Sequence, residues 1–277
     1  MMAKTTLITL VTLAILSQAH ATEILVCYPG GGNVKPSQAQ PTMARMLSAL
    51  ESLGGWPAGT FEHKFTTKLD QCLKMLDEDK PAYVITSTGL FLQRRKKDKL
   101  EVLVQPVIAG STDEVYRILV KKGSASKLQD LKGKSLGGSL LTESEFLHRI
   151  VFEGKIEPGT YFQLKPSKRT LRSLRKLAKG KLDAVLVNQQ QFSALSSLPF
   201  AAEIEPIFES NPFPLVGLAA ATDRTSVQDR KRMAEALGKL CKSAQGKDIC
   251  DMFGLESFKP VTSQNVYIEV EKLWDRR

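Results

Sequence analysis

Four short stretches combine hydroxyl, amide and small residues in a way that could hold a ligand: Tyr28-Pro29-Gly30, Thr86-Ser87-Thr88-Gly89, Gly138-Ser139 through Thr142-Glu143-Ser144, and Asn188-Gln189. Each follows an apolar run and precedes a helical pattern, so each is expected at a strand-to-helix junction. The chemistry they suit is non-covalent: backbone N–H groups and hydroxyls at a helix start accept negative charge. Capping alone is the competing explanation at each junction, since Ser, Thr and Asn are the favoured N-caps. Four such junctions aimed at one cleft imply ligand contact at several of them, and the expected contacts are Tyr28, Gly30, Ser87, Thr88, Ser139, Thr142, Ser144 and Asn188.

Reactive chemistry finds little support. No nucleophile stands beside a suitable base, so no catalytic residue is assigned. Gly133-Lys134-Ser135 resembles the end of a phosphate-binding loop, but Leu128 stands where that motif needs its first glycine. The run Pro29-Gly30-Gly31-Gly32 lacks the spacing of a dinucleotide site. None of the four cysteines has the C-x-x-C spacing or the nearby His of a metal site. Neither a metal nor another cofactor is expected.

The elements around these stretches alternate. Short apolar runs at residues 23–27, 61–65 and 82–85 are separated by helical patterns carrying Met43, Met46, Leu47 and Leu50, then Leu69, Cys72, Leu73 and Leu76, with a short helix from Thr88. The cycle restarts with strands at residues 116–120, 135–137, 162–164 and 184–187. Its helices carry Phe146, Leu147, Ile150 and Val151, then Leu171, Leu174 and Ala178, and a last one starts at Gln189. Such alternation predicts parallel sheets, and two cycles predict two lobes. Residues 102–108 lead out through Gly110-Ser111, and residues 204–214 lead back. These two crossings make a hinge. A strand at residues 215–219 and helices with Met233, Leu237 and Leu240 finish the chain. The predicted organisation is residues 22–108 and 212–277 in lobe 1 and residues 109–211 in lobe 2.

The N-terminus sets the compartment. Lys4 precedes an apolar run over residues 7–16, and Ala19-His20-Ala21 has the small-x-small pattern of a signal-peptidase site. A membrane span needs about 20 apolar residues, so residues 1–21 are expected to be a cleaved signal peptide and the mature protein to be periplasmic. Cleavage leaves 256 of the 277 residues; the leader carries one Lys and no acid, so the charge goes from +10 to +9. A basic balance favours anionic partners, and export makes nucleic acid an improbable one. Lys165, Lys168, Arg169, Arg172, Arg175, Lys176, Lys179 and Lys181 form a stretch without an acid, expected on the solvent side of a helix. In an oxidising compartment Cys241 and Cys250 are expected to pair, while Cys27 and Cys72 are equally compatible with a bridge or with buried thiols.

Three further stretches carry a family resemblance. Leu128-Gln129-Asp130-Leu131-Lys132-Gly133-Lys134-Ser135 resembles the opening of the second lobe in type II periplasmic binding proteins. The stretch from Gly180 through Asp183-Ala184 to Asn188 resembles their "G-x-x-D-A" strand. Ser210, Pro212 and Pro214 with Leu215-Val216 resemble the return hinge of the phosphonate- and phosphate-ester-binding branch. The resemblance implies two Rossmann-like α/β lobes joined by a two-strand hinge, a small polar and anionic solute in the cleft, an inner-membrane ABC permease as partner, and a monomer. A sensor subunit presenting its closed form to a membrane receptor is the alternative use of the fold. In that branch a hydroxyl cluster opens the second-lobe helix; the matching residues here are Thr142, Glu143, Ser144 and Glu145, two of them acids. Either Glu143 points into the cleft and repels an anion, or it turns outward while Thr142 and Ser144 face in. The outward geometry is the expected one, because acids in a first helical turn commonly serve only the helix dipole.

Overall fold

The structure is a computed structural model that describes residues 23–28, 30 and 35–276. The expected leader, Pro29, Gly31 and Gly32 lie outside the described residues.

Strand β1 (Glu23–Tyr28) is followed by helix α1 (Pro36–Gly54), β2 (Phe61–Phe65), α2 (Leu69–Asp79), β3 (Tyr83–Thr86), α3 (Thr88–Arg94) and β4 (Leu100–Val107). Leu25, Val26, Cys27 and Tyr28 are all buried, as a parallel strand covered on both faces requires. Alternation divides them: Leu25 and Cys27 pack with Met43, Met46, Leu47 and Leu50 of α1, whereas Val26 and Tyr28 pack with Cys72 and Leu76 of α2 and Leu90 of α3. The chain then crosses over through β5 (Asp113–Glu114).

The second lobe contains β6 (Arg117–Lys121), β7 (Ser135–Gly138), α4 (Ser144–Phe146) running into a π-helical turn at Leu147–Val151, α5 (Pro158–Tyr161), β8 (Gln163–Pro166), α6 (Thr170–Ala178), β9 (Ala184–Val187), α7 (Gln189–Ser193) and β10 (Ile204–Glu209). The chain returns through β11 (Phe213–Pro214) to β12 (Leu218–Ala221), α8 (Val227–Leu240), α9 (Lys247–Phe253), β13 (Ser257–Pro260) and α10 (Ile268–Asp275).

The described residues form two sheets, with orders β13-β4-β12-β3-β1-β2 and β10-β6-β9-β7-β8, and the two-stranded ribbon β11-β5 joins them. Among the described residues only the cores β2-β1-β3 and β8-β7-β9 are parallel; β12, β13, β6 and β10 each pair antiparallel with their neighbours. The all-parallel expectation is corrected accordingly, because the chain enters and leaves each lobe at strands that reverse direction. The strand after the return crossing also begins at Leu218 rather than Leu215: Leu215 N–H is held by the Thr112 carbonyl, and Gly217 N–H bonds the Val104 carbonyl next to a register shift.

Helix α6 buries Ser173, Leu174, Leu177 and Ala178, and the eight basic residues around it are all exposed. Leu171 was expected inward but is 42% exposed, because the buried stripe runs through Leu174 and Leu177 instead. The Cys241–Cys250 disulfide is present, and Cys27 and Cys72 are buried thiols. Helix α10 bridges the lobes: Arg95 after α3 pairs with Glu271 and Asp275, while Arg149 of the second lobe donates to the Trp274 and Arg276 carbonyls.

Candidate functional site

The two lobes meet where β1 and β3 end. There Glu143, at the start of α4, is 6% exposed and reaches from the second lobe onto the first. Tyr28 Oη donates to its Oε1 at 3.3 Å, and Ser87 Oγ donates to its Oε2 at 3.1 Å. Ser87 also caps α3 by accepting from Leu90 N–H at 3.2 Å, so both hydrogen-bonding roles of its hydroxyl are used. The outward geometry expected for Glu143 is thus corrected: Thr142 and Ser144 are the exposed residues and Glu143 is the buried one. The cause is local. Residue 143 is not yet helical, with φ −97° and ψ 59°, and the three-residue α4 passes at once into the wide turn Leu147–Val151, where Phe152 N–H bonds the Leu147 carbonyl. A regular helix starting at Glu143 would have presented a different face.

Two glycines shape the seat. A Cβ at Gly89 would lie 2.3 Å from Glu143 Oε2 and 2.9 Å from Phe146 Cβ, so only glycine lets the second lobe come this close. Gly30 adopts φ +88°, the left-handed region open to glycine, with the Leu140 side chain and Glu143 Oε1 beside it. Below the carboxylate, Phe146 meets Tyr116 and the hinge residue Phe213, with ring centroids 6.2 and 5.5 Å away. The seam is therefore filled by the protein's own side chains.

The electrostatics are those of a buried carboxyl group without a counter-ion. Among the described residues no Lys, Arg or His offsets the burial of Glu143; burial pushes its carboxyl up to about 7, and the Ser87 and Tyr28 bonds only partly oppose this. The neighbours respond in kind: burial and then Glu143 raise Tyr28 and, after Glu114, Tyr116, while burial pushes the Cys72 thiol up to about 12, with Arg94 opposing and Glu143 adding to the rise.

Of the other expected contacts, Thr88 is buried and donates to the hinge carbonyl of Pro214 at 3.4 Å. Asn188 Oδ1 accepts from Gln191 N–H at 2.9 Å, as a helix cap. Ser139 is half-buried near the end of β7. The structure therefore brings Tyr28, Gly30 and Ser87 together and leaves Thr142 and Ser144 at the surface. Sequence reasoning did not single out Glu114, a buried hinge carboxylate that accepts from Gln189 N–H at 2.8 Å and Val115 N–H at 2.9 Å. Its only sequence signal was an acid in a strand-sized stretch, Asp113-Glu114-Val115-Tyr116.

Two α/β lobes on a two-strand hinge, with hydroxyls and glycines at the facing sheet edges, define a type II periplasmic binding protein. Comparison gives the family: the profile described as ABC transporter, phosphonate, periplasmic substrate-binding protein matches residues 33–267, and the chain belongs to that family, whose members bind solutes rather than turn them over. A search of curated protein sequences returned no match. Among solved structures, a Xanthomonas citri protein bound to chloride ion aligns with TM-score 0.70 at 14% identity, covering 91% of this chain and 96% of its own. A binding protein component of an ABC phosphonate transporter from Pseudomonas aeruginosa aligns at 0.66 and 14%, covering 91% and 86%. PhnD1 from Prochlorococcus marinus in complex with methylphosphonate aligns at 0.65 and 14%, covering 91% and 96%. At this identity the structural likeness speaks for the fold.

Proposed function

We propose that this protein captures a small phosphonate- or phosphate-like oxyanion between its lobes and presents the closed form to an inner-membrane ABC permease. In this reading residues 1–21 are removed on export, lobe 1 comprises residues 22–108 and 212–277, and lobe 2 comprises residues 109–211. One observation carries the ligand class: a two-oxygen acid, the Glu143 carboxyl group, already sits between the lobes on the hydroxyls of Tyr28 and Ser87. Donors that seat a carboxylate can seat a phosphonate, whose oxygens accept the same bonds. The family and the expected mature charge of +9 point the same way. Tyr28, Gly30 and Ser87 are the proposed first contacts.

A thermal-shift screen with methylphosphonate, inorganic phosphate, sulfate and free amino acids tests the reading. Ligand at 100 times its dissociation constant adds about 2.7 kcal/mol of stability. Stabilisation by the phosphorus oxyanions, reduced in Ser87→Ala, is expected; stabilisation by amino acids alone would reject the ligand class.

A further inference from the structure

Building on this reading of the seam as an oxyanion site, we infer that Glu143 is an internal ligand: its side chain occupies the solute's place in the unliganded protein, holds the lobes shut, and must leave before an oxyanion can bind. As a consequence it sets both the affinity and the selectivity of the site.

The geometry is that of a ligand rather than of a packing residue. Both carboxyl oxygens are engaged, each by a hydroxyl at the end of a different strand of the opposite lobe, across sequence separations of 115 and 56 residues. The receiving surface is cut to fit, since Gly89 leaves room for Oε2 where any Cβ would collide. Leu140 and Phe146, on either side of Glu143 in the chain, close against Gly30 and Gly89.

The groups facing Glu143 make it a competitor of an anion rather than its partner. Tyr28 from β1, Ser87 from the β3–α3 junction, Cys72 from α2 and Tyr116 beside the hinge are hydroxyls and a thiol held in their neutral forms, and among the described residues no cation faces it. A phosphonate needs the same two hydroxyl donors, and two buried anions on one pair of donors repel. The carboxylate therefore swings out as the solute enters. Solutes that offer fewer or weaker acceptor oxygens than the carboxylate fail to displace it, so Glu143 acts as a threshold for binding.

Calorimetric titration of methylphosphonate at pH 7.5 into wild type, Glu143→Gln, Glu143→Ser and Ser87→Ala tests the inference, with circular dichroism to establish folding. The expected result is affinity at least tenfold higher in Glu143→Ser than in wild type, an intermediate gain in Glu143→Gln, which keeps one acceptor oxygen, and a loss in Ser87→Ala. In wild type carrying 13C-labelled glutamate, the Glu143 carboxyl resonance should move to the position of a solvent-exposed glutamate as methylphosphonate saturates, which reads the displacement without any substitution. Affinities within threefold between wild type and both Glu143 variants, weaker binding in the variants, or an unmoved resonance at saturation would each overturn the inference while leaving the binding function in place. Folded wild type and variants that bind neither methylphosphonate nor phosphate would instead refute the proposed function, and the inference with it.

Discussion

Replacing Gly89 by Ala adds a single methyl group at the point where the lobes touch. Gly89 lies in the first turn of α3 with no left-handed backbone requirement, so within the helix alone alanine is better by about 1 kcal/mol. The penalty comes only from the opposite lobe. The new Cβ would sit 2.3 Å from Glu143 Oε2 and 2.9 Å from Phe146 Cβ, so the surfaces must part by about 1 Å to reach ordinary contact near 3.5 Å. The bonds from Ser87 and Tyr28, at 3.1 and 3.3 Å, would then stretch beyond useful length. Their loss costs about 1 kcal/mol each, and forced overpacking adds about 1 to 3 kcal/mol. The helix gain is the same with the lobes open or closed and cancels, so the closed unliganded form loses about 3 to 5 kcal/mol, a shift of roughly 150- to 4000-fold toward open lobes. Small-angle scattering of the ligand-free protein reads this directly: Gly89→Ala should have a larger radius of gyration than wild type. Superimposable profiles would refute the seam geometry.

Three further outcomes follow from the same structure. Because burial raises the Glu143 carboxyl from 4.5 to about 7 in the closed form, closure is favoured while the group is protonated in both forms, below about pH 4.5. That advantage is lost as pH rises through 7, by about 3 kcal/mol in total; ligand-free wild type should hold a larger share of open lobes at pH 8 than at pH 5 in scattering, and Glu143→Gln should not respond. Replacing both Cys241 and Cys250 by Ser removes a bridge of sequence separation 9, worth about 2.6 kcal/mol by loop-closure entropy, and urea denaturation should show a loss of this size. Arg149→Ala removes the donor to the Trp274 and Arg276 carbonyls and the guanidinium placed over the Trp274 ring, so amide exchange in α10 should accelerate while that in β1 and β3 stays unchanged.

How far the sequence could be read depended on whether a feature was local. The β2 strand at residues 61–65 and the β9 strand at residues 184–187 were legible because turn residues bound short β-rich runs. The Cys241–Cys250 bridge was legible because the two cysteines are close in sequence. Ser87 could be expected at a helix start for its type alone, and its hydroxyl does cap α3. Strand direction was less accessible: β12 and β6 run antiparallel to neighbours that no local pattern identifies. Glu143 was the hardest case. The order Thr142-Glu143-Ser144 requires neighbouring side chains to point different ways without saying which one turns inward, and the decision rests on a non-helical residue followed by a π-helical turn. The matching vacancy opposite, at Gly89, is visible only when the lobes are brought together.

In the proposed function the hydroxyls of Tyr28 and Ser87 form the seat of an oxyanion. A crystal structure of the protein grown with saturating methylphosphonate tests it most directly. Phosphonate oxygens are expected within hydrogen-bond distance of Tyr28 Oη and Ser87 Oγ, with the Glu143 carboxylate turned out of the seam. A fully occupied methylphosphonate bound elsewhere, with Glu143 still held by both hydroxyls, would contradict it.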